Sequence, residues 1–144
     1  MKKLWLSILF LMGTLLFLRM IFAEHNWQSF PEIEGNIKKG ILDLDGEIWF
    51  ASNNGLYRYN GYEVINYNLH NSPLINNRIN DLAVDANNVI WIATNDGLFS
   101  FDHGFWWHYT SNNSFLLCDF VRLLAVDLNN NLGVHTKCDP YYDF

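Results

Sequence analysis

Basic charge is scarce in this chain of 144 residues. Nine Lys and Arg stand against 15 Asp and Glu, a formal net charge of −6. Lys2, Lys3 and Arg19 lie in the leader, so the rest of the chain keeps six basic groups against the same 15 acids, or −9. No basic stripe remains to follow a phosphate backbone. The composition argues against nucleic acid and against anionic membrane surfaces as partners. Cysteine is scarcer still. Cys118 and Cys138 form no CxxC and no ligand spacing with histidine. An exported chain permits them to pair, but two separate thiols are the simpler expectation. Proline and glycine are too few for a fibrous or low-complexity protein. Signatures of catalysis are missing too: no GxSxG, HExxH, Walker loop or paired carboxylate set. His103 and His108 are five apart, with His135 farther on, which is not a metal-binding spacing. The expectation is a chain without catalytic activity, cofactor or metal.

Apolar material, by contrast, is plentiful. Half of the residues are hydrophobic and 17% are aromatic, enough to bury a core. The first apolar run is the leader. Lys2-Lys3 precede an apolar run from Leu4 to Leu18, then Arg19 and Met20-Ile21-Phe22-Ala23. A basic start, an apolar centre and a small final residue fit a secretory signal peptide over 1–23, although Ile21 is larger than the cleavage position prefers. Residues 4–23 also have the length of an uncleaved membrane anchor, interrupted by Arg19. Either reading places the body outside the cytoplasm and confines membrane contact to 4–23.

The body is organised by a repeat. Ile48-Trp49-Phe50-Ala51-Ser52-Asn53-Asn54-Gly55-Leu56 returns without a gap as Ile90-Trp91-Ile92-Ala93-Thr94-Asn95-Asp96-Gly97-Leu98, 42 positions on. Each copy reads as a buried strand, a tight turn and the start of another strand. Asp43, Asp85 and Asp127 recur at the same interval, each opening a turn. Residues 24–35 offer a leading strand segment, with Pro31 holding its neighbour extended. Units follow over 36–77 and 78–119, each with four strand candidates. A third, over 120–144, starts in phase and then decays, with Gly133 at the Trp position and Asp139-Pro140 at the Gly-Leu position. Four antiparallel strands per repeat of about 40–50 residues is the pattern of a β-propeller blade. The fold class is therefore all-β: an incomplete propeller of about 2.5 four-stranded antiparallel blades after an N-terminal signal or anchor helix.

The string Asp43-x-x-Gly46-x-Ile48-Trp49-Phe50-Ala51-Ser52-x-x-Gly55-Leu56-x-Arg58-Tyr59-Asn60-Gly61 resembles the two-component regulator propeller repeat. The second copy keeps Asp85, Ile90 to Thr94, Gly97-Leu98 and Phe101-Asp102, while Asn88 replaces the turn glycine and Ser100 the arginine. The resemblance implies the extracytoplasmic sensor region of a bacterial histidine kinase, often a hybrid one, in which blades form paired seven-bladed propellers. Some members are similar to glycan sensors that control polysaccharide use. By that resemblance the parent would be a kinase, and carbohydrate or another small ligand its signal. Two and a half blades cannot close a ring that needs at least four, so an N-terminal piece of a longer sensor is expected. Its partners would be the remaining blades or another propeller chain. A non-catalytic interaction module and a piece of an exported propeller enzyme are the alternatives.

Individual residues divide between packing and recognition. Trp49, Trp91, Leu56 and Leu98 read as core, and Gly55 and Gly97 as turn positions that require φ > 0. Asp43-Leu44-Asp45-Gly46 opens like a calcium loop, but Asn54 stands where the bidentate acid should be. Asx-type capping is the better reading of Asp43 and Asp85. The candidate recognition surface is Trp106, Trp107, His108 and Tyr109, behind Phe105. Alternation sends only one set of these side chains to the core, and exposed aromatics suit sugar rings or a protein partner.

Overall fold

Alternating apolar residues punctuated by turn formers give ten strands and no helix in the computed structural model, which describes residues 28–138. The signal or anchor segment over 1–23, the start of the leading segment, and Asp139-Pro140 lie outside the described residues. Strands β1 (Ile37–Leu42), β2 (Ile48–Ser52), β3 (Leu56–Tyr59) and β4 (Val64–Tyr67) form one antiparallel sheet in chain order. A second sheet repeats the order with β5 (Ile79–Val84), β6 (Ile90–Thr94), β7 (Gly97–Asp102) and β8 (Phe105–Tyr109). The third contains β9 (Val121–Val126) and β10 (Leu132–Thr136). Its second strand forms although Gly133 stands where the other sheets have Trp.

Successive sheets pack face to face through their first strands, β1 beside β5 and β5 beside β9. The core lies between them. One cluster joins Trp49, Ala51 and Leu56 of the first sheet to Leu82, Ile90, Ile92, Phe99 and Phe101 of the second. Another joins Ala83, Ala93 and Leu98 to Val121 and Leu124. The middle sheet is thus covered on both faces, which is why β6 and β7 read as nearly unbroken apolar runs. A bulge recurs in every first strand, at Ile37/Lys39 and Ile79/Asp81 and opposite His135/Thr136. Next to the second bulge, the buried Asp81 carboxylate takes the Lys39 ammonium of the first sheet at 2.8 Å and the Leu124 amide of the third at 2.8 Å. One acid therefore fastens three sheets.

The tight turns show why the motif needs its residue types. Ser52 and Thr94 are buried, and each hydroxyl donates to a glycine carbonyl, Gly55 at 2.9 Å and Gly97 at 2.7 Å. Gly55 and Gly97 have φ of 120° and 114°. A Cβ there would also sit 2.5 Å from the Tyr67 carbonyl oxygen and 2.4 Å from that of Tyr109. Glycine is required twice over, by dihedral and by the outer strand passing close.

Two expectations need correction. The described part of the leading segment, 28–35, contains no strand. The Ile33 amide bonds the Phe30 carbonyl at 3.1 Å across Pro31, because proline suits the second position of a turn and removes a donor a ladder would need. Phe30 packs instead on Phe50 and Tyr59. The two cysteines are not separate thiols: Cys118 and Cys138 are joined in a disulfide with Cα atoms 5.6 Å apart. The repeat explains the pairing. Cys118 and Cys138 occupy, 42 positions later, the places of Asn76 and Asp96, whose side chains are hydrogen-bonded to each other in the second sheet. A covalent link replaces a polar one at the same joint. The connectors repeat as well. Asn68 accepts Ser72 Oγ on its carbonyl at 2.7 Å, as Thr110 accepts Ser114 Oγ at 2.6 Å. The Leu69 amide bonds Asn77 Oδ1 as the Ser111 amide bonds Asp119 Oδ1.

Candidate functional site

The turn between the first two strands of each sheet is built on its aspartate. Asp43 Oδ1 accepts the amides of Asp45 at 3.0 Å and Glu47 at 2.9 Å, the capping expected of an Asx turn. Its second oxygen accepts the indole N–H of Trp49 at 2.8 Å, in a fully buried contact. Asp85 does the same for Asn87, Val89 and Trp91. In the third sheet, where tryptophan is absent, Asp127 Oδ2 takes Asn131 Nδ2 at 2.9 Å. These hydrogen bonds stabilise the Asp127 carboxylate and hold its pKa below the usual value.

Asn88 and Asn130 carry out what the turn glycine does not. Both adopt left-handed dihedrals, φ 65° and 64°, that Gly46 adopts at 83°. Each reaches back to the turn of the preceding sheet: Asn88 Oδ1 accepts the Leu44 amide at 2.8 Å, and Asn130 Oδ1 the Ala86 amide at 2.6 Å. Asn88 Nδ2 also donates to Asp45 Oδ2 at 2.8 Å. Sequence reading records Asn88 as a departure from the motif; its side chain is a joint between sheets.

Between these turns a cleft of about 430 Å3 opens, lined by Trp49, Arg58, Tyr67, Phe101 and Trp106 with Asp43, Asp45, Glu47, Asn88 and His103 around them. Its aromatic side is continuous. Trp49 stacks on Tyr67 at 6.1 Å, and Phe101 and Trp106 pack against Tyr67, each at 5.6 Å. The polar side centres on Arg58. Its guanidinium meets Glu47 through Nε at 2.5 Å and Nη2 at 2.6 Å and lies 5.4 Å from the Trp49 ring centroid. The Glu47 carboxylate raises the Arg58 pKa above its already high ordinary value, with Tyr67 adding to it. His103 Nδ1 sits 2.6 Å from Asp102 Oδ1. That carboxylate, helped by Asp45, raises the imidazole pKa above 6.5. The arrangement offers flat apolar surface, fixed acceptors and one delocalised cation. It brings no activated nucleophile to a base. Among the described residues no group of three or more His, Cys, Asp or Glu is placed to hold a metal ion.

The four aromatic-strand candidates fall on two sides of β8. Trp106 faces the first sheet and belongs to the cleft, with its ring 5.1 Å from Phe101. His108 shares that side but is closed off: it stacks on Phe99 at 4.1 Å, and its Nε2 donates to the Asp96 carbonyl at 2.6 Å. Trp107 is 64% exposed on the opposite side. Tyr109 shares that side with it and packs on Trp91 at 5.8 Å. Trp49, Leu56 and Leu98 are buried, as core positions should be, while Trp91 is only half-buried. The residues that sequence reasoning missed are Arg58, Glu47 and Tyr67. Arg58 belongs to the repeated motif and its counterpart Ser100 is the departure, so the motif itself did not single this arginine out.

Comparison with known proteins agrees with this architecture. The sequence model for the two component regulator propeller matches residues 73–96. Among solved structures, the chain is similar to the extracellular domain of a hybrid two component system from B. thetaiotaomicron, with a TM-score of 0.63 at 18% identity over 77% of this chain. The chain spans 16% of that protein's chain. No curated protein sequence matches it.

Proposed function

We propose, from the premise that the chain is built of two-component regulator propeller repeats, that it is a segment of an extracytoplasmic ligand sensor and that the cleft beside Trp106 receives a carbohydrate. The observation that carries this reading is the cleft itself. Tyr67 and Trp106 give aromatic walls suited to the apolar face of a sugar ring. Asp45, Glu47, Asn88 and Arg58 give donors and acceptors for hydroxyl groups at its rim. The similar extracellular domain of a hybrid two component system supports the location outside the cytoplasm. In this reading the segment binds and does no chemistry, and its parent passes the signal to a kinase by favouring one conformation.

A panel of oligosaccharides titrated into the full chain tests the reading. Saturable binding to at least one glycan is expected, weakened at least tenfold by Trp106→Ala. If no glycan binds a chain whose near-ultraviolet circular dichroism is intact, or if Trp106→Ala leaves affinity unchanged, the cleft is not the ligand site.

A further inference from the structure

Arg58 is the side chain of the first cleft best shaped to hold a carboxylate or a sulfate, and its fork is already filled. Nε and Nη2 meet the two oxygens of Glu47 at 2.5 and 2.6 Å, the parallel pairing that a ligand's carboxylate would otherwise take. The guanidinium also lies over the Trp49 ring. The other basic group, His103, is charged only when protonated, and it sits on Asp102 at 2.6 Å. Three carboxylates surround the cleft, Asp43, Asp45 and Glu47, against that one guanidinium. Asp43 is engaged by its own turn and by the Trp49 indole, while Asp45 is exposed at the mouth with Asn88 on one oxygen. A carboxylate only accepts hydrogen bonds, so Asp45 suits the O–H of a sugar and repels a second anion. The fold does not depend on the Glu47–Arg58 pair. Arg58 lies across the ladder from Trp49 as Ser100 lies across from Trp91. Val89 stands 42 positions after Glu47, and its amide closes on Asp85 as that of Glu47 closes on Asp43. The second sheet makes the same turn and the same ladder with neither charge.

We infer that the cleft accepts uncharged sugars and refuses uronic acid and sulfated ones, and that Glu47 sets this choice by occupying Arg58. An incoming anion must either displace Glu47, leaving a partly buried acid without its partner, or stay at the mouth beside Asp45. An uncharged ring meets neither obstacle. It has Tyr67 and Trp106 to lie on, with Asp45, Asn88 and the remaining N–H groups of Arg58 for its hydroxyls. Arg58 is then a donor to hydroxyl groups and not a receptor for anions. Glu47 determines specificity through Arg58. The inference rests on the carbohydrate reading of the cleft and adds the class of sugar.

The test titrates the full chain with pairs of oligosaccharides of equal linkage that differ only at C6. Oligomers of glucose, galactose and mannose are set against those of glucuronate, galacturonate and mannuronate. In any pair that binds, the neutral member should bind at least tenfold more tightly. Glu47→Gln removes the internal partner of Arg58 and should shift the ratio of uronate to neutral affinity at least tenfold toward the uronate. The gained uronate binding should weaken as salt is raised, and it should vanish in Glu47→Gln with Arg58→Gln. Near-ultraviolet circular dichroism checks that each variant keeps its packing, and a gain of binding cannot come from unfolding. Equal affinity of the parent chain for both members of a pair overturns the inference while leaving the sugar site in place. An unchanged ratio in Glu47→Gln overturns it too, as does uronate binding that survives the double substitution. If no member of any pair binds the folded chain, the carbohydrate reading falls and this inference falls with it.

Discussion

Replacing Asp43 by alanine removes one side chain and three hydrogen bonds. The indole N–H of Trp49 loses its acceptor in a site sealed from water. An unsatisfied buried donor costs about 1–3 kcal/mol. The amides of Asp45 and Glu47 lose their cap but lie nearer the surface. Water replaces part of that bond, so the loss is about 1 kcal/mol, as for other capping residues. The expected destabilisation is about 3 kcal/mol. Asp127→Ala removes the equivalent turn cap where no tryptophan depends on it, and its transition should stay close to that of the parent chain. Asp43→Asn separates the two roles. It keeps the capping oxygen and turns an N–H2 group toward the indole, so about 1–2 kcal/mol should be lost. Urea unfolding followed by tryptophan fluorescence reads these shifts as midpoints, provided the slope is unchanged. A double-mutant cycle of Asp43→Asn with Trp49→Phe isolates the side-chain bond and should show coupling of about 1 kcal/mol. Equal midpoints for Asp43→Ala and Asp127→Ala, or a silent Asp43→Asn, would refute the argument that the buried indole dominates.

Three further outcomes follow from the geometry. Reduction of Cys118–Cys138, or Cys118→Ser, should cost about 3 kcal/mol for a link closing a loop of 20 residues, measured by urea unfolding with and without reductant. In an NMR titration His103 should titrate above 6.5, and in Asp102→Asn it should return toward that value. Because its folded pKa is raised, the stabilisation from this pair is complete below the unfolded pKa and fades as pH rises through the folded one. Gly46→Ala, with open space around it and φ of 83°, should cost about 1–2 kcal/mol in thermal or urea unfolding. Gly97→Ala should cost clearly more, since its Cβ meets the Tyr109 carbonyl oxygen at 2.4 Å.

The strands were legible because their causes are local. Ile90 to Thr94 and Leu98 to Phe101 announce a covered sheet by composition, and Asn95-Asp96-Gly97 announces the turn between them. The bond from Asp43 to Trp49 was not legible, because it runs through space inside a turn whose backbone already accounts for the aspartate. The disulfide escaped for a different reason. Cys118 and Cys138 match no cysteine template, yet read against the repeat they fall on Asn76 and Asp96, a pair visible only once contacts are known. Of the cleft, only Trp106 was singled out as a ligand contact. Arg58, Glu47 and Tyr67 come from three segments, and only the packing of β3, β4 and the β1–β2 turn brings them together. Trp107 stood out in sequence for its bulk, but bulk does not say which side of the strand a residue takes.

Asn88 sits in the wall of the first cleft and at the same time ties the second turn to the first. A molecule entering there would touch a fastener as well as a lining. Any tilt it imposes on the Leu44 amide would be handed to Asn88, and from the adjoining Ala86 amide to Asn130. These side chains form a row of hydrogen bonds that ties each turn to the one before it.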